Sequence, residues 1–461
     1  MSTLPPEIFK AYDIRGIVGK TLTPDIVQRI GQGLGTLALE GHYDTIAVGC
    51  DGRLSGPELK AALAAGIQSS GAHVIDIGMV TTPLTYFAAV HLATYCSVMV
   101  TGSHNPPDYN GLKMVIAGET LSGEGIQRLK ERVINGDVRH GSGHLSLDDV
   151  RAAYMDRVVG DVKLARKMKV AIDAGNGIAG AYAPELFRRL GCEVTELFCD
   201  VDGTFPNHHP DPSQPANLND LIRCVADTDC ELGLAFDGDG DRLGVVTKAG
   251  AVIYPDRQLM LYAQDVLARN PGATVIYDVK STRNLKPWIE RHGGVPLMWK
   301  TGHSLIKAKM KEIGAPLAGE MSGHTFFKER WYGFDDGLYC GARLLEILSR
   351  HADPGAVLNA LPNSLSTPEL QIPCAEGEAH ALIARMQAEA RFPGAQEIVR
   401  IDGLRVEYAD GFGLARPSNT TPVIVLRFEA DSQGALERIQ RDMLAAVRAI
   451  KPGAAIAAGG H

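Results

Sequence analysis

Short runs of β-branched and aliphatic residues alternate, over most of the chain, with longer stretches whose apolar positions recur every three or four residues. That alternation predicts layered α/β units. TIAVG (45–49) reads as a strand and leads through Cys50-Asp51-Gly52-Arg53 to Ser55-Gly-Pro-Glu58. The last four residues have the form of a capping box with proline in the first turn, opening a helix with Leu59, Leu63 and Ile67 on one side. HVIDIG (73–78) and CSVMV (96–100) follow as strands, the second running straight into TGSHNPPDYNG. A second unit starts near KVAIDAGNG (169–177) and contains LGLAF (232–236), which ends in DGDGDR; a third holds TVIYDVKST (274–282), PLMWKTGH (296–303) and PLAGEMSGH (316–324). In all three a buried strand empties into a polar, glycine-rich loop, where open parallel sheets place their ligand sites. The units read as distant repeats without a fixed period.

The C-terminal part differs. LRVEYAD (404–410) and PVIVLRFEAD (422–431) surround GFGLARPSNTT, and a helix follows Ser432 with Leu436, Ile439, Met443, Val447 and Ile450 on one face. Helices set apart from an antiparallel sheet predict a smaller α+β domain. The end, KPGAAIAAGGH, is expected to be loose.

At 461 residues the chain exceeds one hydrophobic core, and ~150 residues per domain suggests about three domains. No apolar run reaches the ~18 residues of a spanning helix, and the start lacks the basic-then-apolar pattern of a signal peptide. A net charge of −8 argues against general nucleic-acid or membrane-surface binding, while leaving room for a local basic cluster that takes an anionic substrate. The eight cysteines are scattered without a CxxC pair, which reads as reduced structural thiols rather than disulfides or a zinc site. The expectation is a cytoplasmic enzyme.

Asp237-Gly-Asp239-Gly-Asp241-Arg242 is the sharpest local signal. Three carboxylates in six residues repel one another unless a cation binds them, and the intervening glycines let the backbone turn tightly enough for them to converge. An EF-hand starting at Asp237 would need glycine at its sixth place and glutamate at its twelfth, where Arg242 and Lys248 stand. Three carboxylates with positions left for water or a phosphate oxygen suit magnesium; the competing reading is a solvated acidic turn at a sheet edge. In Thr101-Gly-Ser103-His104-Asn105-Pro106-Pro107 a serine just past a strand, held by Gly102 and two prolines, is displayed at a loop tip as a nucleophile would be. The Ser-His adjacency adds little, no GxSxG elbow surrounds it, and read alone Ser103 is also a plain turn serine. The loop Arg416-Pro-Ser418-Asn419-Thr420-Thr421 gathers a guanidinium, three hydroxyls and an amide, the inventory for gripping a phosphate; the competing reading is a polar β-turn. Glu320 and Ser322 in GEMSGH offer a carboxylate and a hydroxyl that suit vicinal sugar hydroxyls, and a plain loop is the equal alternative.

Taken in order, TGSHNPPDYNG, DGDGDR, GEMSGH and RPSNTT, with YDIRG (12–16) near the start, resemble the α-D-phosphohexomutase superfamily along essentially the full chain. The resemblance implies an α/β fold of three related mixed α/β domains plus a C-terminal α+β domain around a central cleft. The boundaries expected are 1–150, 151–251, 252–364 and 365–461. It implies that Ser103 is the active serine, phosphorylated at rest, and a metal ligand together with Asp237, Asp239 and Asp241 for Mg²⁺. Phospho-Ser103 would pass its phosphoryl group to a hexose monophosphate; the resulting hexose 1,6-bisphosphate turns end over end and returns the other phosphate to the serine. Glucose 1,6-bisphosphate would be the activator. Arg416, Ser418, Asn419 and Thr420 would hold the distal phosphate, Glu320 and Ser322 the ring hydroxyls, and Arg242 would steady charge beside the metal loop. Tyr12, Arg15, Lys280 and His303 would line the cleft, with Lys113 and His324 the candidates for moving the proton. GEMSGH, through Met321, resembles the branch acting on both mannose and glucose phosphates; relatives narrower for glucose or glucosamine phosphate vary there.

Three rivals remain at this level. A Mg²⁺-dependent sugar phosphatase would share the serine and aspartates but release inorganic phosphate, leaving the Arg416 grip without purpose. A mutase using an aspartyl phosphate would need threonine or valine where Leu243 stands. A non-catalytic sugar-phosphate sensor would bind without turnover.

Overall fold

The structure is a computed structural model that describes residues 4–419 and 421–458. It divides into two compact units, each assembled from three stretches. One runs up to Pro255 and adds Lys307–Leu317 and Ser322–Ala360; the other takes Asp256–Ile306, Ala318–Met321 and the chain from Leu361 onwards.

In the first unit the strands Thr45–Cys50, His73–Met79 and Ser97–Val100 form the parallel centre of a mixed sheet. Tyr109–Ile116 turns back antiparallel on Ser97–Val100, and Ile14–Ile17 pairs antiparallel beyond it. The helices Pro24–Glu40 and Gly56–Ser69 bury Ile26, Ile30, Leu34, Leu59, Leu63 and Ile67. They approach so closely that a Cβ on Gly66 would stand 1.9 Å from the Gln28 carbonyl oxygen. The capping box expected at Ser55 does not form. Ser55 is itself in the right-handed helical region and makes no cap hydrogen bond; its hydroxyl instead accepts from Asn110 Nδ2 at 2.9 Å. A second sheet sets Lys169–Asp173, Glu193–Leu197 and Leu232–Phe236 parallel, then turns antiparallel into Leu243–Thr247 and Val252–Ile253. The sheets are therefore mixed, and both TGSHNPPDYNG and DGDGDR join antiparallel neighbours rather than feeding parallel crossovers.

The helix Gly337–Leu348 is buried along its whole length. Its N-cap, Asp336, accepts from the Tyr339 amide at 2.9 Å and from the Tyr154 hydroxyl at 2.9 Å. Burial outweighs these bonds and pushes the Asp336 carboxyl up to about 7. A carboxyl raised in the fold favours the folded state at low pH, and that contribution is lost as pH rises from the ordinary carboxylate range through about 7. Asp336→Asn keeps a cap acceptor without the charge. The variant should match the parent near pH 4 and be more stable above neutrality, by up to about 4 kcal/mol in urea unfolding.

In the second unit Thr274–Asp278 pairs in parallel with Val295–Trp299. Its C-terminal portion is an antiparallel sheet ordered Glu397–Val399, Leu404–Tyr408, Gly411–Pro417, Val423–Ala430, Leu370–Pro373. The helix Gln433–Ile450, capped by Ser432, covers it with Leu436, Ile439, Met443 and Val447. The α+β reading holds, with two corrections. Arg416 and Pro417, read as part of a loop, end the central strand Gly411–Pro417, where the bare backbone of Gly411 and Gly413 is covered by Ile439 and Met443 of that helix. The C-terminal stretch is not loose as far as it is described: Ala457 and Ala458 pair with Gln371 and Leu370.

All eight cysteines are free thiols, five of them buried. No described helix is long and apolar enough to cross a membrane.

Candidate active site

Ser103 and the acidic loop meet within the first unit. LGLAF delivers Asp237, Asp239 and Asp241 into the interior, and all three side chains are fully buried. That overturns the solvated-turn reading, since unpaired carboxylates do not remain charged out of water without compensation. One oxygen from each lies within 4.8 Å of the others. Asp239 Oδ1 and Asp241 Oδ1 have no hydrogen-bond partner. A cluster of converging, unsatisfied hard oxygens fits a divalent cation such as Mg²⁺. Repulsion shows in Asp237, whose carboxyl is pushed well above the usual range by burial and then by Asp241 and Asp239.

Lys113, on the strand Tyr109–Ile116, points into the same cluster. Its Nζ donates to Asp239 Oδ2 at 2.7 Å and to Asp241 Oδ2 at 2.5 Å. Burial works against the ammonium, but the two carboxylates outweigh it and hold its pKa above the ordinary lysine value. Asp239 responds in the opposite direction: burial would raise it, and Lys113 pulls it down. Arg242 closes the other side, its Nε 3.6 Å from Asp237 Oδ2 and donating to His324 Nε2 at 3.0 Å. Because an arginine only donates, His324 Nε2 is an acceptor and the ring proton sits on Nδ1, 3.0 Å from Asp335 Oδ2 and 3.5 Å from Asp241 Oδ1. Asp335 also accepts from Lys307 Nζ at 2.9 Å.

The serine is placed differently from the displayed tip expected of it. Ser103 is 1% exposed and sits at φ +49°, in the left-handed region that a side chain seldom adopts. Its Oγ lies 3.4 Å from Asp237 Oδ2 and 3.2 Å from His104 Nδ1, so the adjacent histidine does engage it. Arg15 donates to the Gly102 carbonyl at 2.5 Å and to Asp13 Oδ2 at 2.5 Å. Tyr12, three residues before Arg15, is half-buried.

The second unit carries the other polar group. Arg416 is buried at the end of its strand rather than in a loop; Nε donates to Asp402 Oδ2 at 3.1 Å, and Nη2 reaches Oδ1 at 3.4 Å. Asp402 Oδ2 also accepts from the Thr301 amide at 3.0 Å, two residues before buried His303. Glu320 Oε1 accepts from the Gly302 amide at 2.5 Å, and Lys280 Nζ donates to Glu369 at 3.1 Å. Ser418 Oγ accepts from the Thr421 amide at 3.2 Å; Asn419 is half-buried, and Thr420 lies outside the described residues. Ser322, half-buried in the turn after Glu320, falls in the first unit.

Sequence reasoning passed over Asp51 and Arg53, both 1% exposed beside Ser103. The signal was present, because CDGRLSG is also a polar, glycine-bearing loop at the end of a buried strand. Asp335 and Lys307 carried no such signal.

Four family descriptions cover the chain in order. They are phosphoglucomutase/phosphomannomutase α/β/α domain I over residues 6–140, domain II over 152–250, domain III over 254–365, and the C-terminal domain over 369–446. A phosphoglucomutase of Neisseria meningitidis serogroup A is 60% identical over 97% of this chain and 98% of its own length. A phosphomannomutase/phosphoglucomutase of Pseudomonas aeruginosa is 55% identical over 98% of each. The crystal structure of a family protein from Burkholderia thailandensis superposes with a TM-score of 0.94 at 59% identity, covering 98% of this chain and all of that one. With four domains matched in order and a buried serine set against three carboxylates, the chain belongs to the phosphoglucomutase/phosphomannomutase family, isomerases of the α-D-phosphohexomutase superfamily.

Proposed function

We propose that the chain interconverts the 1- and 6-phosphates of both mannose and glucose by way of phospho-Ser103 and a hexose 1,6-bisphosphate. The observation that carries this reading is Ser103 Oγ, held in the interior 3.4 Å from a carboxylate of a three-aspartate cluster with unsatisfied oxygens. Phosphoryl transfer needs charge neutralisation and in-line placement more than covalent assistance. Mg²⁺ held by Asp237, Asp239, Asp241 and a phosphoserine oxygen would neutralise the transferring group. Lys113 and Arg242 supply fixed positive charge around the same carboxylates, and Arg15 braces the peptide before the serine. His324, whose Nε2 lone pair accepts from Arg242 here, and Lys113 are the two candidates assigned to moving the proton of the sugar hydroxyl. Glucose 1,6-bisphosphate primes Ser103 as activator.

Arg416, Ser418, Asn419 and Thr420 are assigned to the phosphate that is not reacting, Glu320 and Ser322 to the ring hydroxyls, and Tyr12, Lys280 and His303 to substrate contacts. The domain boundaries we assign are 1–150, 151–251, 252–364 and 365–461, and the compartment is the cytoplasm. Dual specificity is supported by the Pseudomonas relative's name and by Met321 in GEMSGH, whereas the Neisseria relative's name favours the narrower glucose reading. A grip on O3 and O4 tolerates either configuration at C2.

The test is ³¹P NMR with Mg²⁺, a trace of glucose 1,6-bisphosphate, and glucose 1-phosphate or mannose 1-phosphate in separate runs. Growth of both 6-phosphates supports the reading. Turnover of one sugar alone narrows the specificity, and growth of inorganic phosphate makes the chain a phosphatase. In the same assay Arg416→Ala should raise KM about tenfold to a hundredfold, since charge-assisted hydrogen bonds contribute roughly 1.5–3 kcal/mol. An unchanged KM would remove Arg416 from the phosphate grip.

A further inference from the structure

A buried ion pair grips the loop that carries Ser103, and none of the chemistry above uses it. Arg53 lies just past the strand Thr45–Cys50 and is 1% exposed. Its guanidinium spends four hydrogen bonds on consecutive parts of one loop. Nη2 donates to the Ser103 carbonyl at 2.8 Å and the Asn105 carbonyl at 2.5 Å; Nη1 donates to Pro106 at 2.5 Å and Tyr109 at 3.0 Å. Phe205 covers the guanidinium at 5.2 Å, and Asp51 Oδ2 stands 3.4 Å from Nε.

Asp51 holds the amide side of the same loop. Oδ2 accepts from Thr101 Oγ1 at 2.7 Å and the Gly102 amide at 3.2 Å, while Oδ1 accepts from the Arg53 amide at 3.0 Å. Thr101 Oγ1 in turn accepts from the Ser103 amide at 2.8 Å. The peptide groups on both sides of Ser103 are thereby fixed, one through its amide and one through its carbonyl. Gly102 lies flat against the guanidinium: a Cβ there would stand 2.2 Å from Arg53 Nε.

A left-handed φ costs a serine on the order of 1–2 kcal/mol and persists only where surroundings over-determine it. The relaxed alternative would swing Oγ away from Asp237. We infer that Asp51 and Arg53 form a clamp of positioning residues whose task is to hold Ser103 in the left-handed conformation that aims Oγ at the metal-binding carboxylates. The inference rests on Ser103 being the phosphoryl carrier.

The variants are Arg53→Lys, whose single ammonium cannot reach four carbonyls in a plane, and Thr101→Val, which deletes the acceptor of the Ser103 amide but leaves the ion pair. Steady-state turnover of glucose 1-phosphate and phosphoserine content by mass spectrometry are measured on both and on the parent. Misplacing a reacting atom by about 1 Å costs on the order of a hundredfold, so kcat should fall about a hundredfold in Arg53→Lys and roughly tenfold in Thr101→Val. KM should stay within about threefold, since no substrate contact is lost. In Arg53→Ala, free guanidinium should restore part of the turnover and equal ionic strength of sodium chloride should not. A parent without phosphate on Ser103 would sink the carrier reading itself. A phosphorylated parent with undiminished kcat in Arg53→Lys, or in Thr101→Val should the lysine variant not fold, would overturn the clamp alone, as would KM rising in step with the loss of kcat.

Discussion

Ser103→Ala, supplied with Mg²⁺, a trace of glucose 1,6-bisphosphate and either sugar 1-phosphate, is expected to leave the sugar as the 1-phosphate. Removing the nucleophile from a covalent mechanism costs about a thousandfold or more in turnover. The loss should be in kcat, because the groups assigned to substrate binding are untouched. The substitution is well suited to the question on structural grounds. Ser103 is buried, and alanine takes the same left-handed backbone at similar cost, so fold and metal cluster should survive. Circular dichroism and the thermal midpoint check that directly. Turnover within about tenfold of the parent would mean that another group carries the phosphate, since no remaining part of the site replaces a lost nucleophile at that rate.

The second large effect concerns Lys113. With its charge removed in Lys113→Met, three fully buried aspartates keep Arg242 as the nearest cation, 3.6 Å from Asp237. Stripping one partner from a buried ion pair costs about 3–5 kcal/mol. In EDTA the variant should therefore unfold at markedly lower temperature or denaturant than the parent, and Mg²⁺ should restore most of the difference while shifting the parent much less. The pH dependence gives an independent check. Asp237 is raised in the fold, so in the metal-free protein its contribution is fullest at low pH and disappears as pH climbs beyond the usual carboxylate range. Mg²⁺ should flatten that slope in both proteins, because a bound cation favours the ionised form. A Lys113→Met protein as stable as the parent in EDTA at pH 8 would show that the carboxylates are neutralised some other way.

What could be read from the chain before its structure follows from how each element makes itself known. DGDGDR is conspicuous because its chemistry is crowded into six consecutive residues. The helix Gln433–Ile450 is equally plain, since its buried face repeats in the sequence at the helical period. GFGLARP shows no element of its own in the sequence because two glycines remove the apolar alternation by which a strand is recognised, although the backbone between them is fully paired. Ser55 failed as a cap for a tertiary reason: Asn110, distant in sequence, takes its hydroxyl. Asp51 and Arg53 escaped notice because their partners are main-chain atoms, and no pattern of side chains announces a carbonyl. The left-handed backbone at Ser103 is likewise created by neighbours rather than by the serine, which in sequence looks like any turn residue.

The alternation of the two compact units along the chain bears on how the protein is made. The first unit borrows Ser322–Ala360, and with it the wholly buried helix Gly337–Leu348, while the second opens at Asp256 and is completed only beyond Leu361. A ribosome that has extruded the first 255 residues has thus released a body with its central sheets but without one of its principal apolar helices. Domains emerging in sequence ordinarily fold in sequence, at a synthesis rate of about 5–20 residues per second. Here the earlier body waits roughly a hundred residues, some seconds or longer, with a hydrophobic groove uncovered. That interval is when the nascent chain is most exposed to aggregation and most in need of a chaperone, and a stop codon anywhere before residue 348 would make it permanent.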